Sequence, residues 1–190
     1  PQFPCLVLVV SGGHTQLIEC ARAHEYTVLG TTRDDAVGES FDKVARLLEL
    51  AYPGGPSIQK AAEEGDPQAV RFPRAFAKTD NLEFSYSGLK TAVLYERQRN
   101  PERSVADIAA SFQWAAVDSL LIKTKQAIEQ SGAPRLVLAG GVAANRLLRD
   151  RLTAELDIPV LLPEMSVCMD NGAMIAAAGH SRFQRGERGS

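Results

Sequence analysis

Leu6-Val7-Leu8-Val9-Val10-Ser11-Gly12-Gly13-His14-Thr15 decides how the rest of the chain is read. Residues 6–10 are continuously apolar, as expected of a strand buried on both faces. The run stops at Ser11-Gly12-Gly13, where glycine permits a sharp turn and successive N–H groups become available. Residues 16–20 then read as a return strand. Such a turn suits an anion, a phosphate for instance, held by main-chain donors, and the Ser11 hydroxyl would then be dispensable. The same residues also suit an ordinary glycine hairpin, and the stretch alone does not choose between the two.

The bulk numbers narrow the class. A chain of 190 residues suits one domain or one lobe, residues 1–190, with enough length for a real core. Hydrophobic content of 45% and charged content of 23% are those of an ordinary globular protein. A net charge of -2 gives no global attraction to nucleic acid, so any RNA contact must be local or shared with a partner. No apolar stretch in the sequence reads as a membrane span, and Pro1-Gln2-Phe3-Pro4 leads straight into a strand without a secretory leader. Cys5, Cys20 and Cys168 are odd in number and widely spaced in sequence, which fits reduced thiols and a cytoplasmic location. The opening residues read like the middle of a fold rather than its beginning.

Downstream, residues 26–32 form a third candidate strand. Apolar residues at helical spacing predict a helix over 41–50, ended by Tyr52-Pro53-Gly54-Gly55-Pro56, and a short helix over 57–64. Residues 82–86 alternate apolar and polar and read as a strand; 87–95 read as a helix broken by Asn100-Pro101. Ser104 is a good N-cap for the longest helix, running to about 130, with Gly132 as its stop and Trp114 packed in the core. Strands are expected at 135–139 and 158–163, with helices at 143–156 and 173–180 and a polar tail over 182–190. Two strand ends carry Gly-Gly turns, Gly12-Gly13 and Gly140-Gly141. This α/β order resembles a lobe of the actin/hexokinase/Hsp70-like nucleotide-binding architecture, in which ligands sit at strand ends near helix N-termini. Asp170 stands where it would cap the last helix or bind a cation. Asp42, inside a helical stretch, gains nothing structurally there.

Six blocks occur in order: VSGGHTQL (10–17), DDAVGESFDK (34–43), YPGGP (52–56), SYSGLKTAV (85–93), LAGGVAANRLLR (138–149) and MDNGAMIAAAG (169–179). Together they resemble the TsaD/OSGEP family, bacterial type, carboxyl-terminal portion. The resemblance implies transfer of threonylcarbamoyl from threonylcarbamoyl-adenylate to the exocyclic amine of the adenosine 3′ of the tRNA anticodon. It implies that Val10, Ser11, Gly12, Gly13 and His14 hold the phosphate and carbamoyl end. Asp42 and Gly55 would contact the ribose side, Asn145 the adenylate, and Asp170 a divalent metal, iron or zinc. Expected ligands and partners are an ATP/AMP-type nucleotide, tRNA, a TsaB-type paralogue and a TsaE-type ATPase.

The departures matter equally. Family members begin with a further lobe whose His-x-x-x-His helix supplies two metal ligands, and this chain contains neither. Asp170 alone is not expected to retain a metal, and the isolated chain is expected to be inactive and to self-associate. Gln59 stands where many relatives carry an acidic ribose contact. Two other readings are a non-catalytic scaffold partner of the same fold and an O-sialoglycoprotein metallo-endopeptidase, though no HExxH motif is present. Lys90, Arg97, Arg99, Arg103, Arg146, Arg149 and Arg151 either form a basic RNA surface or are solvated helix faces, the latter favoured.

Overall fold

The structure, a computed structural model, describes residues 2–186; the part of the expected tail at 187–190 lies outside the described residues. Strands β1 (Cys5–Val10), β2 (Thr15–Arg22), β3 (Glu25–Thr31), β4 (Leu136–Ala139) and β5 (Val160–Leu161) form one sheet in the order β3-β2-β1-β4-β5. β1, β2 and β3 pair antiparallel, whereas β4 lies parallel to both β1 and β5. β1 is therefore central, which explains its unbroken apolar run. Leu6, Leu8 and Val10 are fully buried, and Leu136 and Leu138 beside them nearly so.

Helices α1 (Val37–Leu47), α2 (Gly54–Ala62), α3 (Ser87–Arg99), α4 (Val105–Ser131), α5 (Arg146–Glu155) and α6 (Gly172–Gln184) complete the fold. α4 starts and stops where its sequence says: Ser104 Oγ accepts from Ala106 N at 3.2 Å, and Gly132 turns left-handed at φ 65°. By length and composition α4 could cross a membrane, which a reading for long apolar runs overlooks. However, 67% of its apolar window is buried inside the fold, as befits a core helix. Phe112 of α4 meets Phe41 of α1 edge to face, with centroids 5.1 Å apart. Trp114 is only half-buried, and its ring carries the Arg151 guanidinium 4.3 Å from its centroid.

Several starts differ from expectation because their caps come from far along the chain. α1 begins at Val37, four residues before the predicted start, since Val37 N donates to the buried Thr15 Oγ1 at 2.8 Å and Gly38 N to Ser11 O at 3.1 Å. Residues 82–86 form no strand beyond a single parallel bridge between Thr32 and Phe84. Their alternation is genuine, with Leu82, Phe84 and Tyr86 buried. The ladder ends because Asp34 takes the N–H groups of Tyr86 and Ser87, at 2.7 and 3.2 Å, and so caps α3. Burial pushes the Asp34 carboxyl up, but hydrogen bonds from Ser85, Ser87 and the Tyr86 backbone outweigh it and hold its pKa below the usual range. The irregular 76–83 segment is pinned by Lys123 of α4. Its buried ammonium donates to the carbonyls of Thr79 at 2.9 Å and Asn81 at 2.7 Å. Cys5 and Cys20, distant in sequence, are register partners across β1 and β2, and all three thiols are free.

Tyr86 is fully buried, yet its hydroxyl has no hydrogen-bond partner among the described residues. Burial, with Asp34 nearby, pushes its phenol pKa upward. An unpaired buried hydroxyl carries a desolvation cost without return. Tyr86→Phe should therefore raise the unfolding free energy by about 1 kcal/mol in urea denaturation. A loss of stability of similar size would show that the hydroxyl has a partner.

Candidate nucleotide cleft

Helix starts converge at the carboxyl end of β1 and β4. The Ser11-Gly12-Gly13 turn closes β1 onto β2 through Ser11 N donating to His14 O at 2.8 Å. Within it, Ser11 Oγ accepts from Gly13 N at 3.3 Å and His14 N at 3.0 Å. The hydroxyl thus shapes the turn, contrary to the expectation that the backbone alone suffices. Its oxygen also marks a spot on which main-chain donors already converge, the property that suits an anion.

Gly140 follows β4 at φ 96°, and a Cβ there would stand 2.3 Å from Val10 O. Only glycine lets these two strand ends approach so closely. The chain then makes a 3-10 turn, Gly141–Ala144, before α5 begins at Arg146, later than the predicted 143. Asn145 caps α5, its Oδ1 accepting from Leu148 N at 3.0 Å, while Gln59 Oε1 accepts from Arg146 N at 2.7 Å. Opposite, Asp42 Oδ1 accepts from Gly54 N at 2.8 Å and so caps α2. The view that Asp42 has no structural task is corrected by that bond.

Between these parts lies a cleft of about 410 Å³, lined by Gly12, Gly38, Asp42, Gly55 and Asn145 among others. Tyr52, Met165 and Met169, all well exposed, also line it. The starts of α1, α2 and the turn leading into α5 all face this space, and each contributes the positive end of its peptide dipoles. A side chain on Gly12 or Gly55 would meet no protein atom within 4 Å. Both are bare where the cleft is open.

Of the expected site residues, Gly12, Asp42, Gly55 and Asn145 are brought together on this cleft. Ser11, Gly13 and His14 lie in the adjoining turn, and Val10 is buried beneath it, contributing backbone only. Asp170 stands one residue beyond Met169, exposed, and does not cap α6: Asn171 does, accepting from Met174 N at 3.1 Å. Among the described residues no group of His, Cys, Asp and Glu gathers in the number a metal site needs, so one carboxylate does not fit a metal by itself. Thr15, Gly38, Tyr52 and Gln113 were not singled out from sequence, although Thr15, Gly38 and Tyr52 stand inside the blocks 10–17, 34–43 and 52–56. The seven basic residues proposed for RNA all have partners within the chain. Arg103 pairs with Glu96 and Arg146 with Glu63, Arg151 bridges Asp118 and Glu155, and Lys90 reaches Asp35 at 3.8 Å. Arg149 donates to the carbonyls of Ala143 and Pro163, Arg97 to that of Pro101, and Arg99 lies over Tyr95.

Residues 1–177 match the family model described as TsaD, tRNA N6-adenosine threonylcarbamoyltransferase. The chain belongs to the TsaD family. Curated proteins named tRNA N6-adenosine threonylcarbamoyltransferase include that of Desulfitobacterium hafniense, 54% identical over 96% of this chain and 55% of that protein. The one from Kosmotoga olearia is 50% identical over 97% of this chain and 57% of that protein. This TsaD-family chain thus spans little more than half the length of these relatives. Its fold is also that of full-length HypF solved with phosphate and nucleotide bound, at TM-score 0.76, 12% identity, 96% of this chain and 40% of that one. The ADPNP-bound activator of 2-hydroxyisocaproyl-CoA dehydratase from Clostridium difficile is similar at TM-score 0.56 and 13% identity, over 100% of this chain and 65% of that one. The lobe is of the actin/hexokinase/Hsp70-like class.

Proposed function

We propose that this chain is the carboxyl-terminal lobe of a tRNA threonylcarbamoyltransferase and that its cleft holds the adenylate of threonylcarbamoyl-adenylate. One observation carries the reading: helix starts and a glycine turn face a single cleft whose walls at Gly12 and Gly55 carry no side chain. Family membership and the names of the relatives support the substrate and the reaction.

In the reaction, the exocyclic amine of the target adenosine attacks the carbamoyl carbon. A C–N bond forms, the C–O bond to the phosphate breaks, AMP departs with that oxygen, and the amine loses a proton. The chain's contribution is placement and charge stabilisation. Gly12, whose N–H is not among those taken by His14 O and Ser11 Oγ, turns its backbone toward the phosphate, where negative charge builds as AMP leaves. Asp42 and Gly55 face the ribose, and Asn145 meets the adenylate. Asp170 would give one carboxylate to an iron or zinc ion whose other ligands lie in the part of the relatives that this chain does not span. TsaB-type and TsaE-type proteins and tRNA belong to this reading as partners. Met174, Ile175 and Phe183, exposed on α6, support a surface covered by the rest of the protein or by a second copy.

The test is threonylcarbamoyl transfer by the full-length protein, with threonylcarbamoyl-adenylate, its partner proteins and tRNA, followed by nucleoside mass spectrometry. Appearance of threonylcarbamoyladenosine with release of AMP is expected. Failure of the full-length protein to form it, under conditions in which a curated relative does, would overturn the reading.

A further inference from the structure

Asn145 faces the cleft, yet it is only 8% exposed, and its amide is almost wholly committed inside the protein. Its Oδ1 accepts from Leu148 N at 3.0 Å, and its Nδ2 donates to Gln113 Oε1 at 2.8 Å. Gln113 projects from α4, where its neighbours Phe112, Ala109 and Ala116 are fully buried and apolar, and is itself 7% exposed. A polar side chain in such surroundings costs stability unless it is bonded. The bond it makes has a direction. Rotating the Asn145 amide by half a turn would set its NH2 against the Leu148 N–H, which cannot reverse, and its oxygen against the Gln113 oxygen unless Gln113 turned as well. The Leu148 N–H therefore sets the orientation of the Asn145 amide, and the Gln113 oxygen holds it there by accepting one Nδ2 N–H.

We propose that Gln113 is a positioning residue for the ligand site: it anchors Asn145 in the orientation that the Leu148 N–H sets, by accepting one Nδ2 N–H and leaving the other for the cleft. That wall then presents a donor, suited to an acceptor atom of the bound nucleotide rather than to one of its N–H or O–H groups. This inference rests on the nucleotide reading of the cleft and specifies how one of its walls recognises the ligand.

The test is calorimetric titration of AMP into the full-length protein, with thermal unfolding followed in parallel. Asn145→Ala should weaken AMP binding about tenfold, the worth of one good hydrogen bond. Gln113→Met, similar in shape but without an acceptor, should weaken it by a comparable factor. Gln113→Glu, which keeps a carbonyl-type oxygen in place whether ionised or protonated, should bind within about threefold of the parent. Adding Gln113→Met to Asn145→Ala should cost nothing further, because the two act through one amide. A merely structural Gln113 would move the unfolding midpoint alike in both backgrounds without this dependence. Parent-like AMP affinity in Gln113→Met, a loss in Gln113→Glu equal to that in Gln113→Met, or full additivity in the double variant would each overturn the inference while leaving the cleft assignment standing. Unchanged affinity in Asn145→Ala, or no AMP binding by the parent, would overturn the nucleotide reading of this wall as well.

Discussion

Gly12→Val will lower the affinity of the full-length protein for AMP by about 100-fold while leaving its unfolding midpoint within about 2 °C of the parent. A Cβ at Gly12 meets no protein atom within 4 Å, and its backbone φ lies outside the left-handed region, so the folded chain accepts a side chain there. The space that the valine would enter is the cleft itself, which Gly12 lines. Its methyl groups would occupy ligand volume beside the turn donors, and overpacking of a fitted site costs about 1–3 kcal/mol. Calorimetric titration together with a thermal melt separates the two effects. An affinity within about threefold of the parent would mean that no ligand approaches the turn at Gly12.

Gly140→Ala is expected to do the reverse, destabilising the fold by about 4 kcal/mol and lowering the midpoint by about 10 °C. The φ of 96° strains any L side chain, and the added Cβ would stand 2.3 Å from Val10 O and 2.8 Å from Val10 C. Both contacts are backbone, which cannot swing aside as a side-chain tip can. Relief would require β1 and the turn after β4 to separate, and β1 is the central strand. Urea denaturation measures the loss, and a change below about 1 kcal/mol would show that the two strand ends can move apart cheaply. Gly12 and Gly140 thus belong to similar Gly-Gly turns in sequence and do unlike work. One leaves the cleft open, and the other lets two backbones touch.

Legibility in the sequence followed the range of each signal. β1, with its apolar run, and α4, between Ser104 and Gly132, were readable because their determinants are adjacent in the chain. The Ser-Gly-Gly turn and the order of the motifs pointed to the end of the sheet at which the cleft lies. What was misread depended on partners far away. The true start of α1 hangs on Thr15, that of α2 on Asp42, and the end of the 82–86 segment on Asp34. A local window over 34–40 sees mostly polar residues and a glycine, and one over 82–86 sees only alternation. Asp42 and Asn145 were expected as site residues and line the cleft, but their tasks as caps were not foreseen, since those need the other helix in place. Gln113 gave no local hint, being a polar residue within an apolar helix face. Asp170 shows the opposite failure: beside Asn171, two adjacent cap-type residues, sequence favoured the wrong one.

The borrowed caps have a consequence for how the cleft comes into being. An isolated peptide spanning α1 or α2 lacks the acceptor that holds its first turn, because Thr15 and Asp42 reach those N–H groups from other elements. A first helical turn is the costly one to nucleate, so these walls acquire their shape only as the hairpin and the neighbouring helix dock. The rim of the cleft and the centre of the sheet therefore form one cooperative unit. A ligand bound at the glycine turn would therefore stiffen strands that it never touches.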